Sequence, residues 1–162
     1  MKARLLILVM TVLMQAAAYA QHSPDFAEKF MTMHKADSTL KCVTVSPKMM
    51  EQLARLHDDN RSDNIVQAIA KLKSARIVTG NADHYEKALD LLRKNPQRFT
   101  AGKEYRTEGQ HGIFYTRNDR EGNTVEFIML CEEPQNDKCT IINLTGDIDN
   151  EFLCFLYNNR SF

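Results

Sequence analysis

The chain has 162 residues, of which 43% are hydrophobic and 26% charged, a length and balance that support one domain with its own core. Its 21 Lys and Arg match 21 Asp and Glu for a net charge of zero. That balance offers no basic field for nucleic acid or an anionic membrane surface.

The first 20 residues read as an address. Lys2 and Arg4 precede an apolar run from Leu5 to Met14, and Ala18-Tyr19-Ala20 has the small-x-small form of a cleavage site. This is the pattern of a secretory signal peptide, with Gln21 as the first mature residue. The run falls short of the ~20 residues a membrane-spanning helix needs, and no cysteine follows it for lipid attachment. The expectation is an exported protein, periplasmic or secreted, with residues 21–162 as a single domain and no membrane span in the mature chain.

Phe26, Phe30 and Met33 recur at helical spacing after Ser23-Pro24 and predict a helix over roughly 25–36. Leu40 to Ser46, with Val43 and Val45, predicts a strand. Pro47 suits the first turn of a helix whose apolar stripe is Met49, Met50, Leu53 and Leu56. His57 to Ser62 is a polar break. Ile65, Ile69 and Leu72 restore helical spacing, Ala75 to Thr79 predicts a short buried strand, and Tyr85, Ala88, Leu89 and Leu92 mark a helix that stops before Pro96.

Beyond Pro96 the period shortens. Lys103–Glu108 and Gly112–Arg117 read as strands around a turn at Gly109-Gln110-His111, and Asn118 to Asn123 as a second turn. Thr124 to Cys131 alternates Val125, Phe127, Met129 and Cys131 against Ile128 and Leu130. Glu133 to Asp137 turns the chain into a strand over Cys139–Thr145. Thr145-Gly146-Asp147 reads as a tight turn before a closing helix. The sum is an α+β fold of two layers, a mixed and mostly antiparallel sheet covered by helices, ended by a C-terminal helix.

Four cysteines, Cys42, Cys131, Cys139 and Cys154, follow the leader, and an oxidising compartment raises the question of disulfides. A hairpin centred on Gln135 sets Cys131 opposite Cys139, Met129 opposite Ile141 and Ile128 opposite Ile142. Directly opposed Cβ atoms approach disulfide range, so Cys131–Cys139 is the candidate bond and Cys42 with Cys154 the remaining pair. A slip of one residue sends the two sulfurs to opposite faces.

Asp147, Asp149 and Glu151 have the alternation of a calcium loop without its central glycine or distal glutamate. Capping is the simpler account, with Asp149 as N-cap, Asp147 beside it and Gly146 supplying the backbone turn. The five histidines show no ligand spacing, and His-Glu-x-x-His, Cys-x-x-Cys, Gly-x-Ser-x-Gly and phosphate-cradling glycine loops are absent from the sequence. No catalytic residue, metal ligand or cofactor is therefore read from the sequence. Asn143-Leu144-Thr145 matches a glycosylation acceptor inside a predicted strand and is read as chance. Phe152 and Phe155 fall away from the face carrying Ile148, Leu153 and Leu156, which makes them a candidate patch for a protein partner or self-association.

Leu144-Thr145-Gly146-Asp147-Ile148-Asp149, after a β-hairpin and before a terminal helix, resembles domain of unknown function 4252, a family of exported bacterial proteins, many of them lipoproteins. The strand near Val43–Ser46 with its Met-rich helix, and the Lys71–Thr79 stretch, extend the resemblance over the mature chain. The family implies no activity, cofactor or catalytic residue, and this sequence departs from it in lacking a lipidation cysteine. The leading expectation is an exported, non-catalytic module that binds a protein or envelope component. The alternative is a small periplasmic enzyme using polar loops around His57, Asp58, Asp59 and His111.

Overall fold

The computed structural model describes residues 24–56 and 63–158. In chain order they form α1 (Phe26–Met33), β1 (Lys41–Val45), α2 (Pro47–Leu56), α3 (Asp63–Ala70), β2 (Leu72–Gly80), α4 (Asp83–Arg93), β3 (Thr100–Thr107), β4 (Gln110–Asn118), β5 (Thr124–Glu133), β6 (Lys138–Ile148) and α5 (Asn150–Asn158). A single 3-10 turn, Pro134–Asn136, joins β5 to β6.

All six strands make one antiparallel sheet in the order β1-β2-β6-β5-β4-β3. The chain leaves β2 through α4, starts again at the far edge with β3, and returns by three hairpins. Its last strand, β6, slots between β5 and β2. That makes β6 one of the two central strands of an α+β fold.

Alternation along the strands produces two cores. Ile128, Leu130, Ile113, Tyr115, Cys139 and Ile141 face α1 and α4, where they meet Phe26, Phe30, Tyr85 and Leu92. Phe127, Met129, Cys131, Phe114 and Leu144 face the other way, toward Met50 of α2, Ala68 of α3 and Phe152, Leu153 and Leu156 of α5. Helices therefore cover both faces, which adds a layer to the two expected. Burying a phenylalanine such as Phe26 or Phe30 contributes roughly 1.5–3 kcal/mol, so each face carries a core of its own.

Three local features differ from the sequence reading. Leu72 is not on a helix: α3 ends at Ala70, and the Lys71 carbonyl accepts the N–H of Asp147, which draws the chain into the sheet. Gln110 and His111 belong to β4, since Glu108 and Gly109 alone make the turn and Gly109 supplies φ of 86°. Thr145-Gly146-Asp147 is not a tight turn, because β6 runs through it to Ile148. Gly146 there has φ of 146°, and a Cβ on it would lie 2.5 Å from the Lys71 carbonyl oxygen. Only glycine allows β6 to pass so close to the start of β2.

The β5–β6 hairpin corrects the expected disulfide. Glu133 pairs with Lys138, Glu132 with Cys139 and Cys131 with Thr140, one residue off the register centred on Gln135. The link holds Pro134, Gln135, Asn136 and Asp137, with Asp137 at φ of 47°, so the hairpin axis falls between two residues. Cys131 and Cys139 then sit in opposite cores. All four cysteines are free thiols.

Candidate functional site

The α1 face carries a polar island that the sequence reading passed over. Glu126 and Asn143 lie on β5 and β6, in register with core residues, and both are 0% exposed. Glu126 Oε1 accepts the Phe26 N–H at 2.7 Å, and Asn143 Oδ1 accepts the Ala27 N–H at 2.8 Å. Asp25 Oδ1 takes the Glu28 N–H at 2.9 Å, while the Asp25 carbonyl takes that of Lys29. The first-turn donors of α1 are thus satisfied, two of them by the sheet beneath.

The island closes on itself. Arg117 Nε donates to Glu126 Oε2 at 2.6 Å, and Asn143 Nδ2 donates to Glu126 Oε1 at 3.1 Å. Arg76 forms ion pairs with Asp25 and, at 3.4 Å, with Glu28. Each charge in the island has a partner, as burial demands. The island anchors a helix. A carboxylate on the Ile128–Leu130 face, and an asparagine inside Ile141-Ile142-Asn143-Leu144, were its legible signal.

Two further polar contacts flank α4. His84 is buried, with Nε2 3.0 Å from Asp37 Oδ2 and Nδ1 3.2 Å from the Asn81 carbonyl oxygen. Asp37 is held down to about 2, first by hydrogen bonds from Thr39 and then by His84. His111 Nδ1 lies 3.3 Å from the Tyr85 hydroxyl, whose pKa is raised by desolvation and then by Glu132 and Glu104. These contacts tie α4 to the α1–β1 link and to β4. Among the described residues no three His, Cys, Asp or Glu side chains are grouped to hold a metal ion.

Of the acid–base cluster expected around His57 and His111, His111 falls within the described residues. His57, Asp58 and Asp59 lie outside them. His111 points toward Tyr85 of α4.

At the chain's end, Asp149 caps α5: its Oδ1 accepts the Phe152 N–H at 2.9 Å, and its Oδ2 lies 3.1 Å from Lys71 Nζ. Those two contacts, the Phe152 N–H first, lower its pKa. Asp147 is an exposed strand residue and Gly146 a buried one. The aromatic pair is not a surface patch. Phe152 is 5% exposed in the core, with Phe155 stacked on it at 6.3 Å and half-buried.

Exposed apolar surface lies elsewhere. Val43, Ile77, Ile142, Met129 and Phe114 form one row across five strands. The row is buried at Phe114 and opens toward β1, where Ile77 is 36% and Val43 59% exposed. On the other face of β1 a groove of about 350 Å³ runs beside α1, lined by Glu28, Met31, Thr32, Lys35, Cys42 and Arg76. Burial raises the Cys42 thiol pKa. This edge, which among the described residues is paired with a strand on one side and is apolar on a face, is the candidate binding site.

Comparison with models of known protein families matches residues 31–153 to the family described as "Domain of unknown function (DUF4252)". The chain belongs to this family. The match spans β1 to the start of α5 and so includes the whole sheet of this DUF4252 domain. No curated protein matches the chain.

Proposed function

We propose that this DUF4252 domain is an exported, non-catalytic module that binds a protein or a cell-envelope component. It acts in the periplasm or outside the cell after cleavage behind Ala20. The charged start, apolar run and Ala-x-Ala site support export. Among the described residues no helix is long and apolar enough to cross a membrane.

One observation carries the binding reading: Val43 and Ile77 continue a core row of the sheet into solvent at the β1 edge. A core row that continues past the buried part of the sheet in this way supports an interaction surface. The enzyme alternative has less support, since His111, the member of its residue set that is described, is engaged with the Tyr85 hydroxyl. A photo-crosslinking residue placed in turn at Met33, Val43, Met49 and Ile77 in living cells tests the reading. Capture of one discrete envelope protein or component is expected. Silence at every position overturns it. Mass analysis of the exported chain is expected to show Gln21 as its first residue.

A further inference from the structure

Strand β1 is the end of the sheet on its side, so among the described residues the backbone groups along its outer side meet no other strand. Natural sheets guard such edges with bulges, charges or prolines. The opposite edge is guarded in this way: β3 has a register break between Ala101 and Glu104 and carries Lys103, Glu104 and Arg106. β1 is not. Its pairing with β2 is unbroken from Lys41 to Val45, it contains no proline, and Lys41 is its single charge.

The groove of about 350 Å³ lies directly beside this open edge, with Cys42 of β1 on one wall and Met31, Thr32 and Lys35 of the α1 side on the other. Arg76 and Glu28 at its end are paired with each other. Lys35 and Lys41 are exposed and, among the described residues, have no ion-pair partner. An edge strand flanked by a helix suits an extended peptide: main-chain hydrogen bonds supply affinity, and every second side chain enters the groove. The intervening side chains would fall beside Val43 and Ile77 on the other face. Two unpaired lysines favour acidic residues over basic ones in such a segment.

We propose that β1 takes up an extended segment of a partner protein as an additional strand, with an apolar side chain in the α1–β1 groove and acidic residues beside Lys35 and Lys41. The proposal rests on the binding-module reading and names its docking edge and the chemistry of the partner.

The test is selection of a phage-displayed library of short random peptides on the folded chain. It is followed by titration of the enriched peptides against wild type, Cys42→Trp, and a Lys35→Glu/Lys41→Glu double variant. Cys42 is exposed, so the tryptophan fills the groove without entering the core, and an unchanged melting temperature verifies this. Enriched peptides are expected to be rich in apolar residues and to carry Asp or Glu in excess of Lys or Arg. They should bind each variant at least about tenfold more weakly and protect amides 41–45 from hydrogen exchange. The proposal is overturned if nothing is enriched, if the variants bind like wild type, or if 41–45 become protected with rising protein concentration alone, which would make a second copy the occupant. Crosslinks captured from Met33 or Met49 but not Val43 would sink the β1 edge while leaving the binding module standing. Silence at all four positions would remove both.

Discussion

Glu126 Oε1 accepts the backbone N–H of Phe26 at 2.7 Å across a separation of 100 residues. The carboxylate of a central strand thereby does what an N-cap side chain does for its own helix, and it fixes where α1 lands. Its other oxygen holds Arg117. Glu126→Ala should cost about 3–5 kcal/mol, because it strands a buried N–H and removes the partner of a largely buried guanidinium. Glu126→Gln, which keeps an acceptor for Phe26, should cost less. Denaturant titration of the two variants checks the order, and equal losses would mean that the helix anchor contributes nothing.

Gly146 is the point where β6 lies tightest against the start of β2. Its φ of 146° and the 2.5 Å that would separate a Cβ from the Lys71 carbonyl oxygen leave no room for a side chain. Gly146→Ala should lower stability by at least about 2 kcal/mol. A thermal melt within a degree or two of wild type would contradict the strand path.

Asp149 holds the first turn of α5 through Phe152 N–H, and Phe152 in turn seals the second core. Asp149→Ala should cost about 1 kcal/mol, and Asp149→Asn, still a good cap, only part of that. The Lys71 ion pair is too exposed to add much. If Asn and Ala prove equally damaging, Lys71 rather than the cap is the relevant partner.

Acid should loosen the α1–β1 link. The Asp37 carboxyl sits at about 2 rather than 3.8, owing first to Thr39 and then to His84. Between those values the unfolded chain binds more protons than the folded one, so the stabilisation is complete above about pH 4 and is lost as pH falls toward 2. Asp37→Asn should flatten the fall of melting temperature over that window. Asp119, Glu133 and Asp149, lowered by their own hydrogen bonds, keep some slope in the variant. An unchanged slope would remove Asp37 from the account.

Thiol chemistry reports the hairpin register. Cys42 and Cys154 are exposed, while Cys131 and Cys139 are buried, and burial pushes the Cys139 thiol up to about 12. A thiol reagent should label two cysteines quickly in the folded chain and the other two only on unfolding. A Cys131–Cys139 disulfide in peptide mapping would require the register that the hairpin lacks.

The local patterns were legible from the sequence alone. Apolar spacing marked α1 and α4, and alternation in Thr124–Cys131 sorted Phe127 and Met129 from Ile128 and Leu130, because helix and strand periods are written in neighbouring residues. The family resemblance at Leu144–Asp149 agrees with the match found over residues 31–153. What lay beyond reach was every choice of distant partner. The sequence does not say that β6 enters between β2 and β5, that an even-numbered link shifts Cys139 past Cys131, or that Phe152 turns inward. Nor does it say that Glu126 and Asn143 are buried to receive a helix rather than left in water. Those outcomes depend on which surfaces meet across the whole chain. One residue of register, or one strand inserted late, reverses which side chains face the core, and only the assembled sheet decides it.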